Sequence, residues 1–437
     1  MSRILIYTPF LIIALAAAYS IFSMVGSQKR VQRPVRQQRP LHFVFLVPCL
    51  DEATVIGNTV ERLLALEGPS RSILVIDDGS SDGTAAIVED FDHPAVHVLR
   101  RVLPNARQGK GEALNAGVRH LQSSTILGDW VPDDVVVCVV DADGRLDPMT
   151  LREVAPMYSD PQVAGVQIGV RMLNAGDNLL ARMQDVEFVA YSEIFQRSRS
   201  GRGIAGLGGN GQFTRLVALF ELGADPWTKS LTEDLDLGLR LVSLGWKTQF
   251  CGVVAVHQQA LTNVGRLVRQ RTRWFQGHLQ AAARIPMLAK SNLSFGQACE
   301  LSLLLMLPIV VVGMSLFGIA VWSAAVVRAL VTWRRSGVHL GASTVWRGLV
   351  MYLLTFGTSY FYGFVYWLHS SPRKIGLVIR DSHVMVLYQY IWLFAGAKAL
   401  WRAAFQQNDW AKTARLPDAV PAAPSDRASA PAGSPHR

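Results

Sequence analysis

From Leu41 onward, short apolar runs alternate with helical patterns, and long uncharged stretches flank that region on both sides. Residues 42–47 run apolar up to Pro48, residues 73–76 end in Asp77, and residues 135–140 are almost wholly β-branched. Short apolar runs bounded by turn residues read as strands, and the third reads as a central strand buried on both faces of a parallel sheet. Residues 53–66 carry a helical pattern directly after the first strand. Strand, loop and helix in alternation predict an α/β domain with a mainly parallel sheet over residues 41–287.

The flanking stretches have the length a membrane requires. Residues 4–25 are uncharged and are followed by Lys29, Arg30, Arg33, Arg36 and Arg39, which predicts an anchor whose C-terminal side is cytoplasmic. Residues 1–40 are thus an anchor plus a basic linker. Residues 301–327, interrupted by Pro308, and residues 348–368 predict two more crossings. Residues 384–400 fit either a fourth crossing or a helix lying in the interface, so 288–415 is read as transmembrane and interface helices. Arg328, Arg334, Arg335 and Arg347, with no acid among them, conflict with placing the loop between the later spans outside. Residues 416–437 are mostly Ala, Pro and Ser, a composition predicted to be disordered. The expected placement is multi-pass in the plasma or inner membrane, with the 41–287 domain cytoplasmic.

Composition narrows the function classes. Half of the residues are hydrophobic and 17% are charged, which excludes a disordered chain. A formal charge of +10 suits nucleic acid or an anionic membrane face. The basic residues cluster at the membrane borders, so nucleic acid is not expected as a partner. Cys49, Cys138, Cys251 and Cys299 lie far apart, without a CxxC pair, which argues against a zinc ribbon or a disulfide framework.

In an open parallel sheet, ligands sit outside the carboxyl ends of the strands, and here those ends are acidic. Asp51 and Glu52 follow the first strand, although an acid there can also cap the next helix. Asp77 and Asp78 open the run DDGSSDGT after the second, where adjacent carboxylates repel and favour a cation or a hydrogen-bonding ligand. Lys110 stands between Gly109 and Gly111 at a predicted helix start, where an ammonium and backbone amides can meet phosphate. On these residues alone, an exposed loop lysine is the plainer reading. Asp141-Ala142-Asp143 ends the β-branched strand. Alternate residues of an extended chain point the same way, so both carboxylates can face one Mg²⁺ or Mn²⁺ bridging a diphosphate. Without a cation, two buried like charges destabilise the fold. Residues 231–240 read as a helix start with Thr232 as N-cap; capping accounts for Glu233, and Asp234 fits a cap or a general base. Gln270-Arg271-Thr272-Arg273-Trp274 opens a basic and aromatic stretch that fits an amphipathic interface helix on its own.

Taken in order, these motifs resemble the family 2 glycosyltransferases of the membrane-embedded processive branch, which includes cellulose, chitin, hyaluronan and poly-N-acetylglucosamine synthases. Asp77 and Asp78 match the first aspartates, Asp141 and Asp143 the D-x-D, Thr232-Glu233-Asp234 the T-E-D, and Gln270, Arg273 and Trp274 the Q-x-x-R-W. The resemblance covers about residues 41–286. It implies a GT-A-type α/β nucleotide-sugar-binding domain with added transmembrane helices. It also implies that Glu52, Asp77, Asp78 and Lys110 serve the nucleotide, and that Asp141 and Asp143 hold Mg²⁺ or Mn²⁺. Asp234 becomes the base on the acceptor hydroxyl, Glu233 and Gln270 bind substrate, Arg273 attends the leaving diphosphate, and Trp274 stacks on the acceptor sugar. The implied activity is inverting, metal-dependent, processive transfer from a UDP-sugar to a growing glycan that crosses the bilayer, with an accessory secretion subunit as a further expected partner. The alternative is non-processive transfer of one sugar to a lipid acceptor, which keeps metal and base without needing the 270–274 motif. A nucleotide-sugar sensor with a dead centre is disfavoured by Asp234 beside Asp141 and Asp143. Two segments depart from the family pattern: residues 208–213 fill the place of the loop under the acceptor, and residues 256–260 carry His257, which fits either a contact to the metal or diphosphate or, more plainly, a strand-end histidine bonded within the fold.

Overall fold

The computed structural model describes residues 18–26, 39–336, 342–370 and 374–405. Among them, eight strands form one sheet: β1 His42–Cys49, β2 Arg71–Asp77, β3 Val96–Arg100, β4 Val135–Val139, β5 Arg145–Leu146, β6 Val163–Met172, β7 Gln212–Arg215 and β8 Lys247–Gln258. Their spatial order is β3-β2-β1-β4-β7-β6-β8-β5. The first four run parallel, as expected. β6 and β8 also pair in parallel, so the sheet is mainly parallel but mixed: β7 lies antiparallel between β4 and β6, and β5 lies antiparallel beside β8. The reversal begins at Gly211, whose φ of +70° suits glycine and where a side chain would meet Ile168 and Val256.

Alternation along β1 divides the core into two layers. Phe43, Phe45 and Val47 face the layer of helix Ile56–Leu64, and Val44 and Leu46 face the layer of helix Lys110–Ser123. In β4, Val136 and Cys138 join the first layer, and Val135, Val137 and Val139 the second. Both layers are dry, so the strands read as continuous apolar runs. Phe43 and Phe45 are fully buried; removing such a side chain from water contributes about 1.5–3 kcal/mol. The register then sets the site. Cys49 lies beside Asp77 and Leu46 beside Val139, so the loops after β1, β2 and β4 open at one end of the sheet.

Beyond the domain run helices Phe295–Ser336, Ala342–Leu368 and Ile375–Ala404. Among the described residues, Phe295–Phe317 and Ile375–Ala404 are long and apolar enough, by length and composition, to cross a bilayer. The expected spans 301–327, 348–368 and 384–400 are parts of these longer helices. Of the span at 4–25, residues 18–25 are helical; its earlier part and the tail at 416–437 lie outside the described residues. Ion pairs fasten the helices to the α/β domain: Arg182 meets Asp381 at 2.7 Å and Arg199 meets Glu300 at 3.1 Å, with both carboxylates buried.

Candidate active site

Backbone and side chain lace the loops after β1 and β2 together. Ser81 N–H donates to Asp51 Oδ1 at 2.8 Å, Asp51 N–H to Ser80 Oγ at 2.9 Å, and Ala53 N–H to Asp82 Oδ2 at 2.9 Å. Asp77 belongs to this lacing. Its Oδ1 accepts from Ser80 N–H at 3.0 Å. The turn after β2 folds the Ser80 amide back over it. Glu52 and Asp78 are buried but reach the cavity. Burial pushes the Asp78 carboxyl above its ordinary range, while the Arg107 amide and the Arg101 guanidinium pull it back. Arg101, paired with Asp78, was not singled out in the sequence. Its signal was a second arginine just past β3, at the same end of the sheet.

Lys110 opens helix Lys110–Ser123 behind Gly109, whose φ is +108°. Its Nζ donates to Asp141 Oδ1 at 2.6 Å and to the Gly209 carbonyl. A Cβ on Gly209 would lie 3.2 Å from Lys110 Nζ and 3.3 Å from Asp234 Oδ2. The glycine loop therefore lets the lysine and two carboxylates converge. Asn210, in the 208–213 segment expected to form the loop under the acceptor, accepts from Asp141 N–H at 3.1 Å and ties the loop to Gln258 at 2.9 Å. Asp143 is buried on the wall of the same cavity. Asp234, near the N-terminus of helix Glu233–Ser243, accepts from Leu235 N–H at 2.8 Å. Desolvation raises the carboxyls of both Glu233 and Asp234, with the Asp234 charge adding to the rise at Glu233; Lys110 and Arg273 offset part of it. Among the described residues, no group of three or more His, Cys, Asp and Glu is gathered to hold a metal. The pair Asp141 and Asp143 is nonetheless an all-oxygen donor set, which suits a hard cation that completes its shell with phosphate oxygens and water.

Helix Val264–Ala282 brings Gln270, Arg273 and Trp274 to the cavity. Arg271 points elsewhere: it is fully buried, donates to Glu187 at 2.7 Å, and lies 4.0 Å from the centre of the Trp274 ring. Phe188 meets that ring edge-on at 6.0 Å and Trp392 lies at 6.4 Å. Glu187 also accepts from Trp392 Nε1 at 2.7 Å and from the Tyr388 hydroxyl at 2.6 Å. The indole is thus held by a cation, two aromatic rings and a shared carboxylate. This helix is not a free interface helix; it joins the domain to helix Ile375–Ala404.

At Gly277 the same helix presses on Thr232, so closely that a Cβ would overlap the threonine side chain. Gly277→Ala is expected to lower stability by about 1–3 kcal/mol, the usual penalty for overpacking. It should also lower kcat more than it weakens donor binding, because the strain falls on the Thr232-Glu233-Asp234 turn. Thermal midpoints and donor titrations of the two proteins check this.

A single cavity of about 910 Å³ connects these parts. Glu52, Asp78, Lys110, Asp234 and Trp274 line it, as do Tyr19 and Leu304, Leu307 and Pro308 of helix Phe295–Ser336. His257 stays outside, bonded through Nε2 to Asp147 at 2.8 Å, as its strand-end position suggested.

Residues 40–277 match the family described as glycosyltransferase like family 2. The beta-monoglucosyldiacylglycerol synthase of Synechocystis sp. is 33% identical over 241 residues, covering 54% of this chain and 47% of that protein. The poly-beta-1,6-N-acetyl-D-glucosamine synthase of Staphylococcus epidermidis is 29% identical over 241 residues, covering 53% of each. The chain spans about half the length of the curated relatives it matches. In structure it is similar to the mannosyltransferase PcManGT from Pyrobaculum calidifontis, solved with GDP-Man and Mn²⁺, with a TM-score of 0.61 and 16% identity over 91% of this chain and 99% of that one, a likeness of fold. With more than half of its length matched by the family model and a GT-A-like α/β fold, the chain belongs to glycosyltransferase family 2 and is a glycosyltransferase.

Proposed function

We propose that the protein transfers one sugar, with inversion, from a nucleotide-diphosphate sugar to a lipid-linked acceptor that reaches the site from the bilayer. The observation that carries this reading is the single cavity, with Asp141, Asp143 and Asp234 on its walls and Leu304, Leu307 and Pro308 of an apolar helix on the same walls. An acceptor anchored among such helices can extend its hydroxyl toward Asp234 without leaving the membrane.

Asp234 takes the proton of the attacking hydroxyl, and its desolvated carboxylate is a stronger base than an exposed one. One base on the face opposite the leaving group makes the displacement invert the anomeric centre. Lys110 and Arg273 place positive charge around the departing diphosphate. Asp141 and Asp143 would hold Mg²⁺ or Mn²⁺, which neutralises charge developing on that diphosphate. Glu52 and Asp78 serve the nucleotide, and Gln270 with Trp274 flanks the acceptor.

A second reading, the growing polysaccharide, is favoured by Trp274. An indole face buries sugar C–H surface without demanding one hydroxyl pattern, so a chain can slide past it. On that reading the helices also carry the chain outward, with an accessory subunit beyond them. The two relatives named above make products of both kinds, so family membership suits either reading.

The test uses purified protein in detergent with UDP-glucose, UDP-N-acetylglucosamine and UDP-glucuronate in turn, Mg²⁺ or Mn²⁺, and a membrane lipid extract. Radiolabel from at least one donor should move into the organic phase. Nucleotide-sugar turnover with no transfer to any acceptor in the extract contradicts the proposal.

A further inference from the structure

The wall of the cavity carries a histidine that the transfer scheme leaves unused, His278. It sits one turn beyond Trp274 on helix Val264–Ala282 and directly after Gly277, whose contact with Thr232 seats this part of the helix on the start of helix Glu233–Ser243. Gln280 secures the same junction by accepting from Leu231 N–H at 2.9 Å. The side chain is therefore held beside the Asp234 turn by backbone packing. His278 Nδ1 lies 3.3 Å from the Trp274 carbonyl, which can only accept, so Nδ1 carries the proton. Among the described residues, Nε2 makes no hydrogen bond. Desolvation holds the imidazole below its ordinary range, the Trp274 carbonyl and the Asp234 carboxylate raising it and Arg199 lowering it, so the ring is neutral and Nε2 presents a lone pair.

We propose that His278 is an acceptor-binding residue whose Nε2 accepts a hydrogen bond from a second hydroxyl of the acceptor, while Asp234 takes the proton of the attacking one. The acceptor class is then a sugar or other polyol head group, and not an isolated alcohol. This rests on reading Asp234 as the base. Nε2 belongs to a half-buried ring on the cavity wall, so an acceptor with a second hydroxyl gains a hydrogen bond that an acceptor with one hydroxyl cannot make. Packing alone accounts for the Nδ1 bond, but it gives no use for an Nε2 on the wall of a reaction cavity.

The experiment compares two acceptors with the full chain in detergent micelles: a diacylglycerol with one free hydroxyl, and the same lipid bearing a glucosyl head. Wild type should prefer the sugar-headed lipid. His278→Phe should lower kcat/KM for that lipid roughly tenfold to a hundredfold, the effect of one hydrogen bond lost in a desolvated site. It should also lower the ratio of transfer to donor hydrolysis. His278→Gln, whose amide oxygen falls near the Nε2 position, should restore most of the loss, and His278→Asn should not. If the Phe variant fails to fold, the Gln and Asn pair carries the comparison. Wild-type preference for the diacylglycerol, or equal kcat/KM in the Gln and Asn variants, overturns the inference. Full transfer by Asp234→Asn overturns instead the base reading beneath it, so the two failures are distinct.

Discussion

Asp234→Asn is expected to lower kcat by roughly two to four orders of magnitude, the usual weight of a general base, while donor binding stays nearly intact. The amide keeps the size and the Leu235 N–H contact of the carboxylate but cannot take a proton. On the proposed reading the donor is held by Glu52, Asp78 and Lys110, which line the cavity from other loops, so binding and turnover should separate. The pH profile follows from the same desolvation. A base works only when deprotonated, and burial raises Asp234, so activity should fall as pH drops through a value above the ordinary carboxylate range. If donor binding falls and the rate per bound donor does not, Asp234 is a cap for its helix and no more.

Chelation should abolish transfer, and Asp143→Asn should do the same in a folded protein. Removing a cation from a departing diphosphate forfeits several kcal/mol of charge stabilisation, about a thousandfold or more in rate. Asp143 is buried beside a cavity that also holds Asp141, and its amide replacement preserves shape while removing the charge that a cation needs. Donor titration with and without Mn²⁺ separates the roles: the metal dependence of binding should vanish in the variant. Undiminished turnover in excess EDTA contradicts this.

The parts of this protein legible in its sequence are those in which a local pattern meets a physical demand. The run at residues 135–140 had to be a strand buried on both faces, and residues 135–139 form it; Asp141 and Asp143 follow in a turn, not in extended chain, and both line the cavity. The helix start at residues 232–234 was readable because an N-cap threonine followed by acids marks it, and helix Glu233–Ser243 begins there. What the sequence hid depends on partners far away along the chain. Arg271 looks like one more cation on a basic helix until Glu187, 84 positions earlier, meets it. Arg101 reads as surface charge until β3 brings it to Asp78. Asp77 and Asp78 are adjacent and chemically alike, and only the fold of the turn sends one to Ser80 and the other to the cavity. The mixed sheet was hidden for a different reason: β7 spans four residues after a glycine-rich loop and leaves too short a pattern to mark its direction.

The central claim, that a sugar is placed on an acceptor held at the bilayer, is tested most directly by the size and solubility of the first product. Purified protein is supplied with radiolabelled donor, Mn²⁺ and membrane lipid, and the label is partitioned and resolved by mass over early and late times. The account predicts an organic-phase product heavier than its acceptor by one sugar, at all times. A water-soluble polymer that is long from the earliest time point contradicts it and makes Trp274 the platform of a processive enzyme.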